Sequence, residues 1–371
     1  MSRETGPWGR LAPNLRADRR RPPLAALAAE TDPERFVWRV LPHAARTFGL
    51  AISLLPARLA RPTAAAYLWC RALDTVEDLA PDAAARVAGF AAVRAAAAGE
   101  GPPLSAPAGA VVQDARDRVH LLLLERCGLL RRFTETLSSG SRARLVALVE
   151  SMSAGMEAAA RTRAETGGVL PEGEDRSAYC RAVLAEPLAF AEAELRAAAG
   201  APPMDAARRA LVDRAGELTQ LANVCRDVEK DLRRGAAYDR ALAPWLAAGA
   251  APAETVDEVR TRLMRRVAEL GPAVEPYFGG LPLEGRPGAR AAAAVMCAAT
   301  ADFFRRANAA LTRPVLRTAA LPSTGAARAA VVATLSAAAA RRLFGRLATV
   351  FEPADGAART PALAAGRRDL P

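Results

Sequence analysis

The chain has 371 residues, 51% of them hydrophobic, 25% charged and only 5% aromatic, with a net charge of +11 and a pI of about 10.5. This length buries a sizeable core and this composition excludes a disordered chain. The basic balance admits nucleic acid, anionic lipid or a polyanionic substrate, but no nucleic-acid motif or interleaving of basic and aromatic residues is present, so no nucleic-acid partner is expected.

Residues 1–32 read as a flexible basic arm, with Arg16, Arg19, Arg20 and Arg21 close together and no apolar run of a secretory leader. Helical periodicity starts at Pro33 and continues to about residue 55. Pro62 is suited to open the next helix, which ends by Leu79, before Pro81. A Pro/Gly-rich loop follows over 99–109. Helices are predicted over 111–136 and 141–163, a loop over 167–175, and further helices over 176–199 and 204–234. Gly235 sits where a glycine ends a helix, after Arg233 and Arg234 in the last turn. The remainder is helical, with breaks near Gly271, over 279–288 and at Pro314, and residues 353–371 read as a disordered tail. High alanine content and the lack of β-type alternation make the 33–352 domain all-α. No charge-free apolar run reaches the roughly 18 residues of a membrane span. A cytoplasmic protein is expected, with peripheral membrane contact through the basic arm as the alternative. The sequence carries no sign of oligomeric state.

Almost all the positive charge is arginine, with Lys230 the only lysine, a skew that coding composition explains as well as a basic surface does. Cys70, Cys127, Cys180, Cys225 and Cys297 are odd in number and widely spaced, which argues against disulfides and thiolate metal sites. His43 and His120 are the only histidines. Any metal must therefore rest on oxygen donors, which suits magnesium rather than zinc.

Two segments carry the chemistry. In the first, Tyr67, Arg71, Asp74 and Asp78 share one stripe of a helix, flanked by Glu77, with Leu68, Ala72, Val76 and Leu79 on the far side. In the second, Asn223, Asp227 and Asp231 recur every four residues, opposite Leu221, Cys225, Val228 and Leu232. A diphosphate leaves only when its charge is neutralised. Carboxylate-held magnesium and arginine forks do this. The competing reading makes these stripes solvated faces, Arg71 and Arg226 intrahelical ion-pair partners, and Tyr67 a core tyrosine with a satisfied hydroxyl.

At these residues the chain resembles the squalene/phytoene synthase family, over roughly residues 34–308. ARTFGLAI, residues 45–52, is similar to the family's S-R-[ST]-F-x-x-x-I segment. YLWCRALDTVED, 67–78, resembles its first aspartate-rich motif, and QLANVCRDVEKDLRRG, 220–235, its second. Ser153 to Met156, followed by Tyr179-Cys180, looks like its central segment. The resemblance implies a single all-α isoprenoid synthase bundle around a central cavity. It implies magnesium on Asp74, Glu77, Asp78, Asn223, Asp227 and Asp231. It implies isoprenoid diphosphate oxygens on Arg46, Thr47, Arg71, Gln220, Asn223 and Arg226, with Tyr67 and Tyr179 near the reacting carbons and Arg71 in a catalytic role. The implied reaction joins two farnesyl diphosphates head to head into presqualene diphosphate, and with hydride from NADPH gives squalene.

The sequence also departs from the family pattern. Ala45 replaces the usual serine, Leu79 follows Asp78, and Val183 to Leu188 reads VLAEPL in place of a small-residue run. Glu186 and Pro187 there would kink a helix. Leu232-Arg233-Arg234-Gly235 looks phytoene-like, so a phytoene synthase using geranylgeranyl diphosphate stays open. So do a non-reducing terpene-forming enzyme and, in another class, a helical protein that only binds prenyl diphosphates.

Overall fold

The computed structural model describes residues 10–11, 13–14, 22–45, 47–110, 112–317 and 325–354. A short helix α1, Leu24–Ala28, leads into α2, Pro33–Ala44. Asp32 caps α2 by accepting from the Arg35 amide, and Pro33 fills the first position, where no amide bond is lost. The predicted helix to residue 55 is two helices. Ala45 is extended, and α3, Thr47–Leu54, restarts beyond it.

α4, Ala57–Leu79, begins after Pro56, five residues ahead of the start expected at Pro62. Pro56 supplies the carbonyl that accepts from the Leu59 and Ala60 amides. Pro62 lies buried inside the helix in its second turn, where its missing amide hydrogen removes the bond to the carbonyl four residues back. α5, Ala83–Ala98, is capped by Asp82 and ended by left-handed Gly99. The predicted helix over 111–136 is α6, Ala115–Glu125, and α7, Cys127–Glu135, broken at Arg126. α8, Ser139–Glu165, follows.

α9, Glu174–Cys180, and α10, Glu186–Ala199, are joined by a π turn, Arg181–Ala185. Pro187 explains the turn: it has no amide hydrogen and its ring would strike the carbonyl four residues back, so the helix widens just ahead of it. α11, Ala206–Arg233, is capped by Asp205 and closed by Gly235 at φ 74°. α12, Ala253–Leu270, α13, Val274–Gly279, α14, Pro287–Ala309, α15, Ala326–Leu335, and α16, Ala337–Ala348, complete the chain. Among the described residues, extended pairing is limited to two isolated bridges, Val169 with Ala237 and Leu316 with Pro353. No helix of the described residues is long and apolar enough to cross a membrane.

The expected arm is packed where it is described. Arg10 donates to the Leu55 carbonyl at 2.7 Å, Asn14 donates to Ser53 Oγ at 2.7 Å, and Leu27 is fully buried. The bridge at Pro353 and the Ala354 amide bond to Val315 likewise tie down the first residues of the expected tail. Residues 1–9, 15–21 and 355–371 lie outside the described residues.

The largest apolar cluster runs from Leu27 to Phe351, with Trp69 of α4 fully buried in it. α4 packs on α5 and α8, and α10 packs on both α4 and α11. The π turn sits between two glycines. A Cβ at Gly216 of α11 would meet Ala185 Cα at 2.4 Å, and one at Gly155 of α8 would meet Ala182 Cβ at 2.2 Å. Neither contact is possible without moving a helix. Gly216→Ala should therefore cost roughly 1–3 kcal/mol of unfolding free energy, as overpacking does, read from urea denaturation. An unchanged midpoint would show that α11 has room to shift.

Candidate active site

The far side of α4 is as apolar as its pattern requires: Leu68, Ala72, Val76 and Leu79 are buried. On α11, Leu221, Cys225, Val228 and Leu232 are buried likewise. The two acidic stripes are left facing one another. They are tied by Arg234, whose Nη1 lies 2.9 Å from Asp78 while Nη2 lies 3.3 Å from Asp117 of α6.

The expected site residues other than Arg46 have definite positions. Arg71 Nη1 lies 3.1 Å from Asp74, and its Nη2 donates to the Tyr67 hydroxyl at 2.9 Å. That hydroxyl donates in turn to the Ala44 carbonyl at 3.1 Å, and the Tyr67 and Phe48 ring centroids are 5.5 Å apart. Tyr67 thus joins α4 to the α2–α3 corner, which carries Thr47 at the start of α3. Arg46 lies outside the described residues. Arg226 is 2.6 Å from Asp227. The intrahelical pairing of Arg71 and Arg226 is therefore present, as is a satisfied Tyr67 hydroxyl. Asn223 Nδ2 donates to Gln220 Oε1 at 2.8 Å.

Glu77, expected among the metal ligands, is bonded by two protein donors. Its Oε1 takes a 2.7 Å bond from Arg163 of α8, and its Oε2 a 3.0 Å bond from the Tyr179 hydroxyl of α9. Tyr238 donates to the Tyr179 hydroxyl at 3.2 Å. The Arg163 guanidinium lies 5.0 Å from the Tyr179 ring centroid and 4.8 Å from that of Tyr238, in cation–π contact with both. Burial, then Glu77 and Tyr238, push the Tyr179 phenol well above its ordinary range. Tyr179 is a neutral donor here, not a phenolate.

Arg163, Tyr238 and Arg234 escaped sequence reasoning as site residues. Only Arg234 gave any sign, as a cation in a helix's last turn. Glu186 is held by Arg209 of α11, so its charge is compensated on that side. All five cysteines are free and buried, and burial pushes the Cys180 thiol to about 12 and Cys225 to about 11. They are packing residues, as expected.

Asp231 carries no ion pair among the described residues. Its carboxyl is pushed to about 8, by burial first and then by the charges of Asp227 and Asp78. Asp74 is pushed to about 7 by burial, against the pull of Arg71. Among the described residues no three metal-ligating side chains form a ready cage. Magnesium does not need one, since it is commonly held by one or two carboxylates, with water and substrate phosphates completing its shell. A buried carboxylate crowded by two others fits such a cation.

The same crowding fixes a pH dependence. A carboxyl raised from 3.8 to about 8 on folding retains a proton that the unfolded chain has lost. Stability in magnesium-free buffer therefore falls as pH rises between those values, and the penalty is complete above them. Asp231→Asn should be more stable than the parent chain at pH 8 and lose that advantage toward pH 4, as measured by urea midpoints. Equal stability at both pH values would refute the crowding.

The family model for squalene/phytoene synthase matches residues 41–342. No curated protein matches the chain. Among solved structures, the complex of TcSQS with the ligand E5700 aligns with a TM-score of 0.61 at 18% identity, covering 85% of this chain and 90% of that one. The complex of TcSQS with BPH1237 aligns at 0.60 and 18%, covering 90% and 94%. These likenesses establish the helical fold. With the family model spanning most of the chain, including both carboxylate helices, the chain belongs to the squalene/phytoene synthase family, prenyltransferases that condense isoprenoid diphosphates head to head.

Proposed function

We propose that this enzyme joins two farnesyl diphosphates into presqualene diphosphate. The observation that carries the reading is that α4 and α11 bring carboxylates and arginines to one place: Arg71 on Asp74, Arg226 on Asp227 and Arg234 on Asp78, with the Asp231 carboxyl raised by burial and by the charges of Asp227 and Asp78. Asp74 and Asp78 on α4, with Asn223, Asp227 and Asp231 on α11, would hold magnesium, which neutralises the departing diphosphate. Glu77 remains with Arg163 and Tyr179. Arg46, Thr47, Arg71, Gln220 and Arg226 grip phosphate oxygens, the arginines by exchanging carboxylate for phosphate as partner.

The C–O bond of one farnesyl diphosphate breaks, leaving an allylic cation and free diphosphate. The double bond of the second attacks that cation, and loss of one proton closes the cyclopropane. Tyr67 and Tyr179 line the reacting chains. Tyr179, neutral and bonded to Glu77, offers a π face to the cation and a route by which a proton reaches the carboxylate. The DTVED form of the first motif favours farnesyl over geranylgeranyl diphosphate.

The test is incubation with farnesyl diphosphate and magnesium, with and without NADPH, and mass spectrometry of the products. Presqualene diphosphate supports the proposal, and squalene formed only with NADPH extends it to reduction. Consumption of geranylgeranyl diphosphate alone moves the reading to phytoene synthesis. Turnover of neither substrate, with magnesium-independent binding, makes this a prenyl diphosphate carrier.

The π turn that starts two residues after Tyr179 favours a second reading, a non-reducing terpene-forming enzyme with a reshaped product pocket. Replacing Pro187 and Leu188 by small residues should then change the product, and an unchanged product would remove this reading.

A further inference from the structure

The last third of the chain has an uneven charge. Between Asp302 and Glu352 there are eight arginines and no acidic residue. α15 and α16 lie in this stretch. A soluble surface helix turns its large apolar residues inward. α15 does so only in part, with Val332 packed against the core. Ala329 and Ala333 are fully buried, while Val331 is 64% and Leu335 74% exposed, more than any other large apolar side chain among the described residues.

Val331 and Leu335 are one turn apart, and Arg328 lies three residues before Val331, so the three share one face. Ser336 then starts α16, which buries Leu343, Phe344 and Leu347 and leaves Arg342 and Arg346 outward. Arg328, Arg342 and Arg346 have no ion-pair partner among the described residues.

We propose that the α15–α16 face docks on an anionic lipid surface, with Val331 and Leu335 entering the headgroup layer and the arginines pairing with lipid phosphates. Charge and shape together select this occupant. Outward aliphatics flanked by arginine complement a negatively charged interface; the acids that reach this segment from other elements, Glu284 on Arg341 and Glu275 beside Gly345, lie against α16. Two side chains are too small a patch for a stable interface between copies, which needs about 800 Å² on each partner. The docking face uses none of the residues assigned to the active site, so it stands or falls separately from the reaction.

The test is flotation of the full chain with vesicles of phosphatidylcholine alone or with added phosphatidylglycerol. The parent chain should float with the anionic vesicles and release at high salt. Val331→Ser with Leu335→Ser, and separately Arg328→Gln with Arg342→Gln, should each weaken binding by about tenfold or more. Urea midpoints and turnover of detergent-dispersed substrate should not change. Unaltered vesicle binding by both variants overturns the proposal. So does binding that is lost only when Arg16, Arg19, Arg20 and Arg21 become glutamine, which would assign the contact to the N-terminal segment. A dimer in light scattering that the serine variant dissociates, without vesicle binding, also overturns it.

Discussion

Asp74→Ala and Asp227→Ala should each lower kcat by on the order of a thousandfold or more, the few kcal/mol of transition-state charge stabilisation that a positioned cation supplies. The two residues stand on different helices. If either alone held the diphosphate's counter-charge, only one variant would fail. Both should fail if the cations are shared between α4 and α11.

Neither change should unfold the protein. Arg71 keeps its bond to the Tyr67 hydroxyl when Asp74 is gone. Arg226 is half exposed and is solvated when Asp227 is gone. The helical circular dichroism signal should match that of the parent chain, and magnesium-dependent substrate binding should weaken. Near-normal turnover in either variant would defeat the metal assignment for that helix.

Repeating features of one segment were legible in the sequence. Asp227 and Asp231 lie four residues apart, so helical geometry alone places them together. Gly235 was legible because a left-handed position needs glycine. The break at Ala45 was not, since the nearest breaker, Pro42, is accommodated inside α2. Pro62 misled because Pro56 offers the same local signal and only tertiary packing chooses between them.

Glu77 shows a different limit of local pattern. Its spacing to Asp74 and Asp78 suits a shared metal, but its partners Arg163 and Tyr179 lie 86 and 102 residues away. No local pattern announces them. The same holds for Tyr238, which reaches Tyr179 across 59 residues. The sequence pattern therefore shows the stripe, while the partners that hold Glu77 come from distant parts of the chain.

That anchoring role carries the largest expected effect on stability. Arg163 and Glu77 have side chains only 6% and 12% exposed. Arg163→Met would strand a buried carboxylate with a single donor, Tyr179, and should destabilise the protein by about 3–5 kcal/mol, as breaking a buried pair does. Glu77→Gln should cost less, because the amide retains a hydrogen bond to Tyr179 while Arg163 retains both aromatic faces. The double variant Glu77→Gln, Arg163→Met should recover much of the loss, since no unpaired charge remains. A coupling of that sign in the double-mutant cycle, read from urea denaturation, is what a buried pair requires. Additive losses would mean that Arg163 acts by filling space between Tyr179 and Tyr238. The charge on Glu77 would then be free to join the cation site after all.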